Sequence, residues 1–287
     1  MQYESLDSFL NSGQSALSKG PVALIFAEDE TEVESTLHHH LGLGFKSVVA
    51  FMPAEFTLSD DLSARVHRVT LRCAPRTVVF DAINRITKAA PSVWMYYCYN
   101  AEYLFYPFCE TRSIGELLAF HTEERRNAML CHVIDLYAGD LTQFPNGVAP
   151  DQAMLDSTGY YAHTRHDPAG HPVERQLDMS GGLRWRFEDH IPYERRRIDR
   201  IALFKTRKDL ILQPDHTFNE AEYNTYACPW HHNLTAAICS FRAAKALKSN
   251  AGSAFDISSF RWHNSVSFEW TSRQLLDLGL IEPGQWF

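Results

Sequence analysis

The stretch Pro21-Val22-Ala23-Leu24-Ile25-Phe26-Ala27-Glu28-Asp29 decides the fold. Its unbroken apolar run, closed by acidic residues, predicts a strand buried on both faces, the pattern of a parallel sheet. Asp29 follows as a helix N-cap, with acidic residues in the first turn. Val33, Leu37, His40 and Leu41 continue at helical spacing, and Gly42 and Gly44 end the helix. Residues 47–52 and 66–72 predict two further strands. Residues 77–90 predict a helix stopped by Pro91, and residues 92–99 a fourth strand, rich in aromatics. Strands alternating with helices at this spacing imply βαβ units, with the carboxyl ends of the strands along the edge where ligands bind.

Working outward, residues 4–18 predict an amphipathic helix carrying Leu6, Phe9, Leu10 and Leu17. Residues 113–126 predict a helix and 128–137 a strand. Residues 140–182 carry Gly, Pro, Asp and His without a clear period and read as irregular or lid-like. Strand signals return at 183–187, 201–204 and 210–212, and helices at about 234–248 and 272–278. The expected organisation is an N-terminal extension over 1–20, an α/β domain over 21–250, and a helical tail over 251–287.

The 287 residues can bury a large core, and a formal charge of −8 argues against a nucleic-acid partner. It also argues against broad attachment to an anionic membrane. One local exception is Glu194-Arg195-Arg196-Arg197 with Arg200, which reads either as a solvated positive patch or as a contact for a pyrophosphate or an acidic lipid head group. The six cysteines form no C-x-x-C pair and mostly sit in apolar runs, so they read as free thiols in a reducing compartment. The polar N-terminus lacks a signal pattern, and no apolar stretch is long enough to span a bilayer. The expected location is cytoplasmic, at most peripheral to the inner face of a membrane.

Two sites of chemistry stand out. Ala27, Glu28, Asp29 and Glu30 end the first strand, where acidic groups either contact a base or ribose or simply cap the helix. Asn100-Ala101-Glu102 ends the fourth strand, and two oxygen-bearing side chains at i and i+2 suit one hard cation, Mg²⁺ or Mn²⁺, held against a diphosphate.

The order of these features resembles the bacterial family-2-like glycosyltransferases of GT-A fold. Those chains open with a strand, an Asn-Glu pair and a helix ending in a His-His-x-x-x-Gly-Phe-like segment, matched by Phe26-Ala27-Glu28-Asp29-Glu30 and His39-His40-Leu41-Gly42-Leu43-Gly44-Phe45. A Trp-led strand ending in an Asp-x-Asp motif is matched by Trp94 leading to Asn100-Ala101-Glu102-Tyr103-Leu104. Further on, Gly181-Gly182-Leu183-Arg184-Trp185-Arg186-Phe187, Arg200-Ile201-Ala202-Leu203-Phe204-Lys205, Asp215-His216 and Pro229-Trp230-His231-His232-Asn233 match later segments. The likeness covers roughly residues 20 to 245. It implies a GT-A-type, Rossmann-like, mostly parallel central sheet flanked by helices, with an irregular or antiparallel C-terminal part.

The resemblance also implies roles. Asn100 and Glu102, with His231 or His232, would hold the divalent cation. Ala27, Asp29, Glu30, Asn100, Arg184 and Arg186 would bind a nucleotide-sugar, UDP-linked for preference. Glu188 or Asp189 would deprotonate the acceptor hydroxyl of a cell-surface glycan or lipid-linked acceptor in an inverting transfer. The sequence departs from the family at Asp29, at Phe51-Met52-Pro53-Ala54 and at Asn100, each an altered or missing polar group.

Those departures motivate a second reading, a non-catalytic binding protein on the same fold. A zinc enzyme is a third, on His163, His166 and His171 together with Cys228 near His231 and His232. A thiol nucleophile at Cys98 or Cys109 competes with buried structural cysteine.

Overall fold

The computed structural model describes residues 1–228 and 234–286. Its strands are β1 (Gln2–Tyr3), β2 (Val22–Phe26), β3 (Ser47–Met52), β4 (His67–Thr70), β5 (Trp94–Tyr99), β6 (Glu102–Phe105), β7 (Ala128–Asp135), β8 (Tyr137–Ala138), β9 (Ala153–Asp156), β10 (Tyr160–His166), β11 (Pro172–Gly181), β12 (Asp199–Lys205), β13 (Ala236–Ser240) and β14 (Ser265–Ser267). The helices are α1 (Leu6–Ser12), α2 (Gln14–Leu17), α3 (Val33–Gly42), α4 (Asp60–Arg65), α5 (Thr77–Ala89), α6 (Ile114–Glu123), α7 (Gly182–Arg186), α8 (Arg242–Ser249), α9 (Ala251–Asp256) and α10 (Ser272–Asp277). The protein is α/β, with a large, mostly parallel sheet flanked by helices. The chain forms two compact units. Unit 1 is Met1–Tyr103, Thr111–Leu130 and Ile201–Asn224, and unit 2 is built from residues 104–110, 131–200 and 225–287.

In unit 1 the strands follow the order β1-β4-β3-β2-β5-β12. β2 pairs in parallel with β3 and with β5, β3 with β4, and β4 with β1, while β12 is antiparallel to β5. Every residue of β2 is buried, as its apolar run requires. Helix α3 turns Val33, Thr36, Leu37 and His40 inward at i, i+3, i+4 and i+7. Ser113 and Glu116 close a full capping box at the start of α6, so that helix begins where sequence alone puts it. Residues 1–20 contribute β1, α1 and α2, and β1 extends the sheet beyond β4.

In unit 2, β13 lies parallel to β7, with β6 beyond it in the order β7-β13-β6. A small antiparallel sheet follows the order β14-β9-β8, and β10 with β11 makes a separate two-stranded ribbon. Tyr137, Leu183, Ala244, Leu247 and Phe260 belong to one of its apolar clusters. Residues 251–286 hold α9, β14 and α10, and β14 joins the tail to β9.

Four expectations change. Residues 140–182 are not irregular: they contain β9, β10 and β11. The ribbon β10–β11 is largely exposed, so its strands show no apolar alternation to read. The 183–187 stretch is helix α7, because Gly181 and Gly182 at φ +157° and +62° turn the chain out of β11. Residues 234–248 divide into β13 and α8, since the small apolar run Ala236-Ala237-Ile238-Cys239 is a strand buried on both faces. Residues 210–212 form only an isolated bridge, Leu212 to Phe218. Among the described residues no helix is long and apolar enough to cross a membrane.

Candidate functional site

The chain leaves β2 for β3 and β4 on one side, then crosses back to β5 on the other. The carboxyl ends of β2 and β5 therefore meet at a topological switch point, where open α/β sheets bind their ligands. The residues there are Ala27, Glu28, Asp29 and Glu30 after β2, and Asn100 after β5. Ala27 is buried, Asp29 is half-buried, and Glu28 and Glu30 are exposed.

The fully buried Asn100 amide ties these two strand ends together. Its Oδ1 accepts from the Glu28 backbone N–H at 2.9 Å. Its Nδ2 lies 3.1 Å from the Asp29 carbonyl, 2.7 Å from Asp29 Oδ1 and 2.8 Å from the Thr31 carbonyl. Asp29 Oδ1 also accepts from the Thr31 N–H at 2.9 Å, so Asp29 shapes a turn before the helix, and α3 begins only at Val33. Glu102 is equally buried, and its Oε2 accepts from the Tyr99 N–H at 2.9 Å. Between them Ala101 sits at φ +59° and donates its N–H to Thr36 Oγ1 at 2.8 Å, while Glu32 across the loop is at φ +55°. Two non-glycine residues in left-handed conformations mark a stretch of backbone held by its surroundings.

This geometry does not fit Asn100 and Glu102 as a cation-facing pair. Both side chains turn inward to backbone N–H groups, and the Asn100 amide is satisfied on both its oxygen and its nitrogen. His231 and His232, the other expected ligands, lie outside the described residues. Among the described residues no group of three or more His, Cys, Asp and Glu side chains comes together to hold a metal. His163 and His166 stand on the exposed ribbon strand β10, with a register shift between Thr164 and His166, and His171 pairs with Asp167 at 3.4 Å. The zinc reading loses its described ligands on that geometry.

His40 and His216, from two of the family-like segments, are engaged by neighbours within unit 1. Burial drives His40 down to about 3, and its Nδ1 bonds the Thr36 carbonyl at 2.8 Å. His216 lies between Tyr97 Oη at 2.8 Å and Arg76 Nη2 at 2.6 Å; since a guanidinium only donates, Nε2 is the acceptor and Nδ1 carries the proton toward Tyr97. Cys98 is buried 3.8 Å from His40 Nε2. Burial pushes the thiols of Cys73 and Cys109 up to about 12, the opposite of nucleophile activation.

Unit 2 carries a polar cluster that sequence reasoning missed. Asp135 ends β7 and is 1 % exposed. Its Oδ2 accepts the Arg184 backbone N–H at 3.3 Å, and Arg184 Nε stands 3.4 Å from Oδ1. Burial raises the Asp135 carboxyl to about 6, against the opposing pull of Arg184. Asp156, at the end of β9, accepts from Tyr137 Oη at 2.5 Å, Arg186 Nε at 2.9 Å and Trp262 Nε1 at 2.8 Å. The Arg186 guanidinium also lies over the rings of Trp262, Tyr137 and Phe187, at 4.9, 5.5 and 5.3 Å.

The segment Gly181-Gly182-Leu183-Arg184-Trp185-Arg186 now has a physical account. A Cβ on Gly181 would stand 2.5 Å from Tyr160 Cδ1, and one on Gly182 2.9 Å from Asp135 Oδ2. The glycines admit Tyr160 and Asp135, and the two arginines pair with Asp135 and Asp156. The tell-tale was Asp135 at the end of a strand, but an aspartate there is too common to single out without its partners.

The remaining expected residues are placed plainly. Glu188 and Asp189 are exposed in a short 3-10 turn, and Glu188 pairs with Arg196 at 3.0 Å. Arg197 pairs with Asp199 and, at 3.2 Å, with Asp178, so much of the basic run is neutralised within the chain. No family model matches this chain, and no curated protein matches it.

Proposed function

We propose that this protein is a glycosyltransferase that takes a sugar from a nucleotide-sugar donor, UDP-linked in the first instance, to a hydroxyl of a cell-surface glycan or lipid-linked acceptor with inversion. The observation that carries the reading is the switch point in unit 1. There, β2 and β5 end side by side with exposed acidic groups and a loop pre-set by Asn100. The motif order from Phe26 to Phe187 supports the GT-A form of that fold.

In such a transfer the acceptor oxygen bonds the anomeric carbon as the bond to the diphosphate breaks, and a base takes the hydroxyl proton. Glu188 or Asp189 would serve that task, since both carboxyls are exposed; Asp135, 1 % exposed and paired with Arg184, is closed to an acceptor hydroxyl. No step is routed through a cation, because Asn100 and Glu102 do not fit one.

One observation favours the second reading, a donor-binding protein without turnover: the same inward-turned Asn100 and Glu102. Calorimetry with UDP-sugars, with and without Mn²⁺, followed by chromatography for released UDP, separates the readings. Binding with UDP release supports the transferase, and the double change Glu188→Gln with Asp189→Asn should then abolish release while sparing binding. Binding without release supports the second reading. Absence of binding by any nucleotide-sugar sinks both.

A further inference from the structure

Large hydrophobic side chains that stay in solvent are few among the described residues, and two of them stand together in unit 2. Tyr161 is 45 % and Trp185 41 % exposed. Their rings meet edge to face at 5.4 Å, and Trp185 meets the half-buried Trp262 at 6.5 Å with planes 62° apart. Gly159, at φ +92°, lies below the two indoles: a Cβ there would be 3.5 Å from Trp262 and 3.9 Å from Trp185. The rings are held rather than loose. Trp262 is fixed by its N–H bond to Asp156 and by the Arg186 guanidinium on its face.

The rim is polar. Asn264 Nδ2 donates to Thr158 Oγ1 at 2.6 Å, and His263 packs on Trp262 at 4.7 Å. Tyr160, next to Tyr161 on β10, faces the other way, toward Asp156 and Asp135, so that of the two only Tyr161 is exposed.

We propose that Tyr161, Trp185 and Trp262 form a carbohydrate-binding surface that receives a pyranose ring of the acceptor glycan. The name acceptor rests on the glycosyltransferase reading; the sugar binding does not. The chemistry selects the occupant. A pyranose is amphipathic in the way this patch is: its C–H face packs on an aromatic ring and its hydroxyls reach a polar rim. Rigid aromatic anchors give contact area at little entropic cost. An acyl chain or an apolar protein segment asks instead for contiguous aliphatic surface, and the exposed large side chains of this patch are aromatic.

The test uses the full chain and trisaccharides of glucose, N-acetylglucosamine and mannose as probes, read by saturation-transfer NMR and calorimetry. At least one trisaccharide should bind, with saturation strongest on ring C–H protons. Trp185→Ala and Tyr161→Ala should each weaken it by about 3- to 10-fold, the scale of an aromatic contact. Tyr193→Ala, an 82 % exposed aromatic away from these ring contacts, should leave binding unchanged. UDP-sugar binding should be equal in all the variants, so loss of donor binding with retained glycan binding would overturn the transferase reading alone. The proposal is overturned if no trisaccharide binds, if both Trp185→Ala and Tyr161→Ala bind as the parent does, or if dodecylphosphocholine micelles bind the patch and sugars do not.

Discussion

Replacing Asn100 by aspartate would supply the acidic residue expected of a cation-holding pair, yet the structure predicts that it harms the protein. Asparagine Nδ2 carries two hydrogens and lies within reach of the Asp29 carbonyl, Asp29 Oδ1 and the Thr31 carbonyl. Aspartate donates none. Losing two buried donated bonds, one of them to a carboxylate, costs about 2–4 kcal/mol. The new carboxylate also faces Asp29 Oδ1 across a gap now spanned by a 2.7 Å hydrogen bond. Two unit charges that close repel by several kcal/mol at an effective dielectric of about 20, which we discount to about 1–2 because Asp29 is half in water. Asn100→Asp should therefore lower stability by about 3–6 kcal/mol, and Asn100→Ala, which adds no charge, by somewhat less. Urea unfolding at pH 7.5 reads the loss. Hydrogen exchange adds a local readout, since the Glu28 amide keeps an acceptor in the aspartate variant and loses it in the alanine variant. A variant as stable as the parent, or one restored to parent stability by millimolar Mn²⁺ or Mg²⁺, would refute the view that Asn100 is an internal strut and revive the cation cradle.

Other outcomes follow from named contacts. Gly182→Ala should cost about 1–3 kcal/mol, since its Cβ would meet Asp135 at a left-handed backbone position, whereas Gly42→Ala, with open space around it inside α3, should be neutral or stabilising by up to about 1 kcal/mol. Arg186→Met should cost about 3–5 kcal/mol in thermal or urea unfolding, because it leaves the Asp156 carboxylate buried without its cation. Burial lowers His40 and His121 to about 3 and His132 to about 4, so these contribute stability above about pH 6.5 that is lost on acidification; Asp135, raised to about 6, contributes stability at low pH that is lost as pH rises through that value. Near pH 5 the unfolded chain then binds about two more protons than the folded one at these sites, so unfolding free energy should rise by about 2–3 kcal/mol per pH unit between pH 4.5 and 6, and Asp135→Asn should steepen that slope.

The parallel part of the fold was legible because its signal is local. β2 and β3 are short apolar runs bounded by polar residues, α3 carries its own spacing and α6 its capping box. The ribbon β10–β11 was not, since a pair of exposed strands stabilises itself through cross-strand bonds rather than through an apolar face. α7 was hidden because residues 183–187 carry a strand-like pattern, while the purpose of Gly181 and Gly182, room for Tyr160 and Asp135, depends on side chains far away in sequence. At the candidate site the strand ends were found correctly, but the direction of two side chains was not. Asn100 and Glu102 stand at spacing suited to a shared ion, and only the left-handed Ala101 between them reveals that both turn into the protein.

The pairing of β12 with β5 has a consequence for how the chain is made. Tyr96 and Met95 meet Leu203 and Phe204, roughly a hundred residues later. At about 5–20 residues per second, a ribosome needs on the order of 5–20 s to deliver that partner. Throughout that interval β2, β3 and β4 are already available to dock, while the free edge of β5 presents Trp94-Met95-Tyr96-Tyr97 as an unpaired template for strand addition. Biosynthesis of this protein thus passes through a nascent chain whose most aromatic strand waits open, the state a chaperone would be expected to shield.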